Sequence, residues 1–531
     1  MLARFSPVLH RRHKAETVLT GSLCGHPDRR LLTIGSTSEG MSVRRLQQGL
    51  IAGLITGAML LAASATSARM ADTVPAVVID LAGEAAPAAT GSPYAARNLP
   101  DRIMLSPGAD PSREMGVAWR TDMAQGLAEA EIALLVPAPN FGKRAMRVTG
   151  LSHVTASENG PARYHKARFT GLQPDTAYAY RLKGAAGWSE WHQFRTPAAT
   201  QAPFRFLYLG DTQNSILSIG SLAIRRALLQ AGNPALMLHA GDLVASRDDM
   251  VHDDEWGEWT AAGGWALASI PQIPAAGNHE YVDHVLPGGK ETRRLAPHWP
   301  LSFALPSNGA PGAEATSYVT DYQGVRFIVL DGTSAIDLGT LDAQTKWLDA
   351  RLAESKARWN IVLFHQPIYT CARPNDTPVL KKAWVPLFDR HKVDLVLQGH
   401  DHCYSRLTSA QGREAGREAR RNGATQGPVY LVSVGGAKMY GLNDRAMIQP
   451  DKVAEDTSLF QIIDVSPERL SVRAHLNTGL LYDGFDLIRQ PDGNTRLEEL
   501  PDDLATIRRC TGTHPHRTGP DGLPCVAAPK D

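Results

Sequence analysis

The residues with chemical potential fall in five short blocks: Gly210-Asp211-Thr212-Gln213, Gly241-Asp242, Gly277-Asn278-His279-Glu280, His365, and Gly399-His400-Asp401-His402. Carboxylate and amide oxygens favour hard cations, while imidazole suits zinc, iron or copper. Asp, Asn and His together therefore point to a pair of divalent or trivalent metal ions. A lone His or Asp in a turn is ordinarily a solvated residue or a helix cap, and that reading is kept for His239 and His298.

Four of the five blocks follow a short apolar run, at residues 204–209, 235–240, 361–364 and 393–397. Such runs, bounded by Gly or Pro, read as buried strands of an α/β sheet. The polar groups then sit at strand carboxyl ends, where open α/β sheets gather their sites and where glycine permits a tight turn. Residues 219–231 have helical spacing and are stopped by Gly232-Asn233-Pro234, so a crossover helix joins the two Gly-Asp strands. Residues 342–353 repeat this plan ahead of His365, with Trp347, Leu348 and Leu352 as the core stripe. Residues 428–432 form a further strand, and 459–465 with 470–474 form a closing hairpin.

The blocks, in this order, resemble the metallophosphoesterases and in particular the purple acid phosphatases. The resemblance spans roughly residues 95 to 490. It implies an α/β/β/α sandwich (201–490) preceded by an all-β, fibronectin-III-like sandwich (95–197), the break falling at Thr196-Pro197. Alternating segments at 101–105, 117–119 and 176–181 agree with that sandwich, and Trp119, Tyr178 and Tyr180 are assigned to its packing.

Carried over residue by residue, the resemblance makes Asp242 the carboxylate that bridges both metals. Asp211 and His402 become ligands of the first metal, and Asn278, His365 and His400 ligands of the second. His279 becomes a catalytic group that contacts the phosphate. Two departures stand out. The tyrosine that purple acid phosphatases carry three residues after the bridging Asp is Ala245 here, and the place that other metallophosphoesterases fill with His is Gln213. The Gln213 amide is either a metal ligand or a hydrogen-bonded turn residue, and the metal pair stays open among iron, zinc, manganese and calcium. Glu280 either orients His279 or joins a surface salt bridge, and Arg373 is either a phosphate clamp or an exposed loop arginine.

The implied activity is hydrolysis of phosphate monoesters. The alternatives are a phosphodiesterase or nucleotidase with the same centre, or a non-catalytic binding protein with a degraded site. Lys and Arg number 55 against 54 acidic residues, which gives no signal for a nucleic-acid partner.

Residues 1–71 read as a leader, with Met41 as the start. Arg44 and Arg45 precede an apolar stretch from Leu50 and a small-residue cleavage site at Ala63-Ser64-Ala65, the pattern of an export signal, with a twin-arginine route held open. The stretch is short and diluted for a bilayer span, so no stable span is expected after cleavage. Secretion or periplasmic location follows, with 72–94 as a linker and 491–531 as a Pro/Gly-rich tail. Removal of Cys24 leaves Cys371, Cys403, Cys510 and Cys525, which allow three pairings. Cys371 with Cys403 and Cys510 with Cys525 is favoured; the rival reading makes Cys403 a metal ligand or free thiol. The basic stretch 413–422 is read as a solvated loop.

Overall fold

A computed structural model describes residues 93–408, 428–447, 450–501, 506–513 and 516–525. The expected leader, most of the linker and the basic 413–422 stretch lie outside the described residues. Among the described residues no helix is long and apolar enough to cross a membrane.

Residues 101–195 form two antiparallel sheets. In one, the strand Asp101–Pro107 pairs with Met115–Thr121, which pairs with Ala162–Phe169 and through it with Leu151–Thr155. The other is built from Met146–Thr149, Glu129–Leu134 and Ala177–Gly184, the last also pairing with His192–Arg195. Trp119, Tyr178 and Tyr180 are buried with Phe169 and Phe194 between these sheets. They are core residues, as expected from a small all-β sandwich.

The larger domain has two seven-stranded sheets packed face to face. The first runs Gln272–Pro274, Leu236–His239, Phe204–Leu209, Leu459–Val465, Arg469–Leu476, Leu481–Arg489, Thr495–Glu499. The second runs Tyr318–Tyr322, Val325–Val329, Trp359–Leu363, Leu395–Gln398, Val429–Val432, Tyr404–Thr408, Lys452–Ala454. Strand alternation explains the layers. Phe206 and Tyr208 point into the core between the sheets, whereas Leu207 and Leu209 face the outer layer with the helices Ser221–Ala231 and Asp254–Gly263. Likewise Ile361 and Leu363 face inward, and Val362 and Phe364 meet the outer helices Leu341–Ala353 and Pro378–Arg390. Those helices present Leu348 and Leu352, and Leu380, Trp384 and Phe388, at the four-residue spacing of one helical face. Truncating any of these to alanine costs about 2–5 kcal/mol.

The strands Phe204–Leu209 and Leu236–His239 are parallel and joined by the expected crossover helix. Other features depart from expectation. The helix Asp254–Gly263, not among the expected elements, buries one face through Trp256 and Trp259. A hairpin, Tyr281–Val285 with Glu291–Leu295, follows the His279 block. The first sheet continues past residue 490, where the tail was expected to begin, through Thr495–Glu499. His239 and His298 are not solvated turn residues: both are 1% exposed. His239 bonds to Gln272 at 2.7 Å and His298 to Asp253 at 3.1 Å.

Candidate metal centre

The expected site residues stand just beyond the carboxyl ends of strands from both sheets: Phe204–Leu209, Leu236–His239 and Gln272–Pro274 in the first, Trp359–Leu363 and Leu395–Gln398 in the second. The chain turns sharply at these ends. Asp211, Asp242, His400 and His402 have φ of 42°, 50°, 72° and 45°, the left-handed region that a side chain occupies at a cost of roughly 1–2 kcal/mol per residue. Glycines allow the loops to close: a Cβ on Gly399 would lie 2.1 Å from Asp211 Oδ2, and one on Gly277 would lie 2.2 Å from Asp242 Oδ1.

Two donor sets result, and they share Asp242. Potential ligand atoms of Asp242, His365 and His400 lie within 4.8 Å of one another, as do those of Asp211, Asp242 and His402. His365 Nε2 is 3.0 Å from Asp242 Oδ2, 3.1 Å from Asn278 Oδ1 and 3.0 Å from His400 Nδ1. His402 Nε2 is 3.5 Å from Asp211 Oδ1. Gln213 Nε2 lies 3.2 Å from Asp242 Oδ2 and 2.9 Å from His402 Nε2.

The ring orientations are held from outside. His365 Nδ1 donates to Ala240 O and His402 Nδ1 to Lys438 O, each at 2.7 Å, so both Nε2 atoms face inward. Asp211 Oδ1 and Gln213 Oε1 are buried without a hydrogen-bond partner. Inward-facing ring nitrogens and orphaned oxygens are a donor set for cations, and the residues present fit two metal ions.

Electrostatics follow from burial and crowding. Burial, with the Arg373 and His365 charges, holds His400 well below the usual histidine range; burial and the Lys438 charge do the same for His402. Both are thereby neutral, the form that carries a free lone pair. Burial lifts the Asp211 carboxyl to about 8. For Asp242 burial acts in the same direction but is outweighed by His365 and His279, and its carboxyl lies well below the usual range.

His279 sits at the rim. Its backbone N–H donates to Asp242 Oδ1 at 2.9 Å, its Nδ1 bonds to Ala245 O, and its Nε2 is 3.9 Å from Asp242 Oδ2. Glu280 does not orient His279, nor is it a surface residue. It is fully buried and accepts from the N–H groups of Asp242, Leu243 and Gly277 at 2.9, 2.8 and 2.6 Å, which locks the Asp242 and Asn278 turns together. Arg373 is not a free loop arginine: it donates to His400 O at 2.8 Å and to Asp401 Oδ1 at 2.6 Å. Asp401 also accepts from the N–H groups of Cys371 and Ala372. Cys371 is disulfide-bonded to Cys403 and Cys510 to Cys525, so Cys403 is neither a ligand nor a free thiol.

Sequence reasoning missed the segment 435–440. Gly436 N donates to Asp211 O at 2.9 Å and Tyr440 N to His402 O at 3.1 Å. The Tyr440 ring lies 4.7 Å from His402, with Arg373 and Lys438 each 5.6 Å from its centroid. The Gly435-Gly436 pair after a strand was the available signal, but nothing local aims Lys438 at the centre.

Residues 204–404 match the calcineurin-like phosphoesterase family and residues 100–196 the purple acid phosphatase N-terminal domain. The uncharacterized protein Rv2577 of Mycobacterium tuberculosis is 29% identical over 389 residues, 66% of this chain and 71% of that protein. A purple acid phosphatase of Glycine max is 26% identical over 320 residues, covering 58% of this chain and 66% of its own. In fold, the chain is similar to the solved structure of PhoD, with a TM-score of 0.53 and 14% identity over 80% of this chain and 94% of that one. The chain carries a purple acid phosphatase N-terminal domain ahead of a calcineurin-like phosphoesterase domain, and it is similar to the purple acid phosphatases.

Proposed function

We propose that this protein is an exported phosphatase that hydrolyses phosphate monoesters with two bound metal ions. The carrying observation is the pair of donor sets that share Asp242. Asp211, His402 and the Gln213 amide would hold the first ion; half a turn of that amide brings its orphaned oxygen to the place its nitrogen now takes beside Asp242 and His402. Asn278, His365 and His400 would hold the second, and Asp242 would serve both. Bound there, the two ions supply Lewis acidity toward the phosphoryl oxygens and lower the pKa of water. Ala245, in place of a tyrosine, leaves iron, zinc, manganese and calcium as candidates.

The protein's own groups do the rest. His279 Nδ1 is committed to the Ala245 carbonyl, so Nε2 is the atom that faces substrate and, when protonated, donates to the leaving oxygen. Lys438 and Arg373 place two positive charges on one wall beside Tyr440, and a monoester's terminal phosphate carries more negative charge than a diester's. The name of the Glycine max relative supports the phosphatase reading. The leader pattern and the two disulfides support export to a secreted or periplasmic location.

The test compares hydrolysis of a chromogenic phosphate monoester with the matching diester, using protein loaded separately with each candidate metal. A monoester preference sustains the reading and names the working metal. Preference for the diester replaces it with a phosphodiesterase, and no turnover of either, with metal bound, leaves a binding protein.

A further inference from the structure

His279 owes its orientation to a backbone carbonyl, and that carbonyl is itself held by a charged side chain from another element. Glu255 Oε2 accepts from Ala245 N at 2.6 Å and from Ser246 N at 2.7 Å. These bonds set the turn on which Ala245 O receives His279 Nδ1. The turn is tied to the hairpin after His279 as well, by Asp283 N donating to Arg247 O at 3.0 Å.

Glu255 lies in the first turn of the helix Asp254–Gly263, and the all-β domain supplies that helix's cap. Glu158, in the loop between Leu151–Thr155 and Ala162–Phe169, accepts through Oε1 from Asp253 N at 2.7 Å and Asp254 N at 2.9 Å. A carboxylate at a helix N-terminus satisfies otherwise orphaned donors. Asn159 Nδ2 donates to Asp253 Oδ2 at 3.1 Å and Asp254 Oδ1 at 2.7 Å.

Arg102 and Arg120 from the same domain grip the buried Asp253 at 2.5 and 3.2 Å. Arg102 is placed by an irregularity in strand pairing between Asp101 and Met104, and it has a φ of 48°. Such bulges re-aim side chains. His252 stands between Glu158, at 3.3 Å, and Glu255, at 3.4 Å.

We infer that the all-β domain is a working part of the phosphate site: it fixes the start of the helix Asp254–Gly263, and Glu255 on that helix is a positioning residue that sets the His279 imidazole through the Ala245 carbonyl. The inference rests on the reading of His279 as the group that contacts the leaving oxygen. It follows that the contact between the domains transmits geometry to the centre without touching the metal-binding residues.

The experiment uses the full zinc-loaded protein and the variants Glu255→Ala, Glu255→Gln, Glu158→Ala, His279→Ala and Glu255→Ala/His279→Ala. Rates are measured on p-nitrophenyl phosphate, whose leaving group needs no proton, and on glycerol phosphate, whose alkoxide does. Glu255→Ala is expected to lower kcat on glycerol phosphate about 30-fold, a part of the roughly 100-fold or more that general acid catalysis contributes, with little change on p-nitrophenyl phosphate, in KM or in zinc content. Glu255→Gln, whose amide oxygen still accepts both N–H groups, restores most of the loss. Glu158→Ala shows the same pattern at smaller size, and the double variant is no slower than His279→Ala.

Equal loss on both substrates in folded Glu255→Ala, or a double variant slower than His279→Ala by the full Glu255 factor, overturns the inference. A second readout separates it from the role of His279: the Nδ1 proton resonance of that ring, shifted downfield by the Ala245 carbonyl. If His279→Ala shows no leaving-group preference, the catalytic reading falls, while loss of the shifted resonance in Glu255→Ala still sustains the positioning. A resonance unmoved in Glu255→Ala overturns it whatever His279 does.

Discussion

Two clusters of buried acids, in one molecule, are completed in opposite ways. At the contact between the domains, Asp253 is surrounded by donors: Arg102, Arg120, His298 and Asn159 all reach its carboxylate. Burial pushes that carboxyl up, but the His298 hydrogen bond and the arginines outweigh it and hold Asp253 well below the usual range. In the candidate metal centre the shortage is of donors. Asp211 Oδ1 has no hydrogen-bond partner, the neighbouring imidazoles turn their Nε2 atoms inward, and burial lifts Asp211 to about 8. The first cluster carries its cations on the chain and holds two domains together; the second leaves room for cations that are not part of the chain.

The comparison predicts opposite consequences for the same change. Asp211→Asn should lower kcat/KM by about 1000-fold, equivalent to about 4 kcal/mol, yet leave the Tm of the metal-free protein unchanged or higher, because Oδ1 has no donor to lose. Adding zinc at 100 times its Kd should stabilise the parent by about 2.7 kcal/mol and fail to stabilise the variant. A metal-free Asp211→Asn protein that unfolds much more readily would break the distinction.

Asp253→Asn should instead cost about 3–5 kcal/mol in denaturant unfolding with or without metal, since it strands buried guanidinium groups. The pH dependence has a definite sign. The folded-state pKa of Asp253 lies below the unfolded one, so its contribution is present above the unfolded value of about 3.9 and is lost as pH falls through the folded value. The gap between parent and variant should be full at pH 7 and shrink in acid; a gap that widens in acid would assign the cost to another cause.

Smaller effects sharpen the description of the centre. Gln213→Ala should weaken metal affinity about tenfold, read as metal retained after dialysis, and unchanged retention would reject the amide as a ligand. Lys438→Ala should lower kcat/KM for a monoester about fivefold, about 1 kcal/mol for a partly exposed charge, and leave diester hydrolysis unaltered. Equal losses on both esters would remove Lys438 from phosphate recognition.

The two clusters were not equally legible. Asp211, Asp242, Asn278, His365, His400 and His402 stood out because all but Asn278 follow a turn after an apolar run, and strand ends are local features. The alternation that sends Phe206 inward and Leu207 outward was likewise readable from neighbouring residues. Nothing comparable marked Asp253, which sits in a polar stretch between His252 and Asp254. The two tryptophans that make it a helix, Trp256 and Trp259, need the outer face of the first sheet before their burial means anything. Glu280 was visible but misjudged: beside His279 in the chain it suggested a partner for that ring, whereas the fold turns it inward onto three backbone donors.

The sequence by itself determined the kinds of donor, their order, and their placement at strand ends, because residue type and hydrophobic period act over a few neighbours. Only the tertiary structure decided that strands from two sheets bring those ends together, that Lys438 and Tyr440 cover one side, and that Glu158 of the all-β domain caps the helix holding the Ala245 turn. Those contacts join residues tens to hundreds of positions apart. They are set by which apolar faces bury one another, and that is a property of the packed chain rather than of any segment of it.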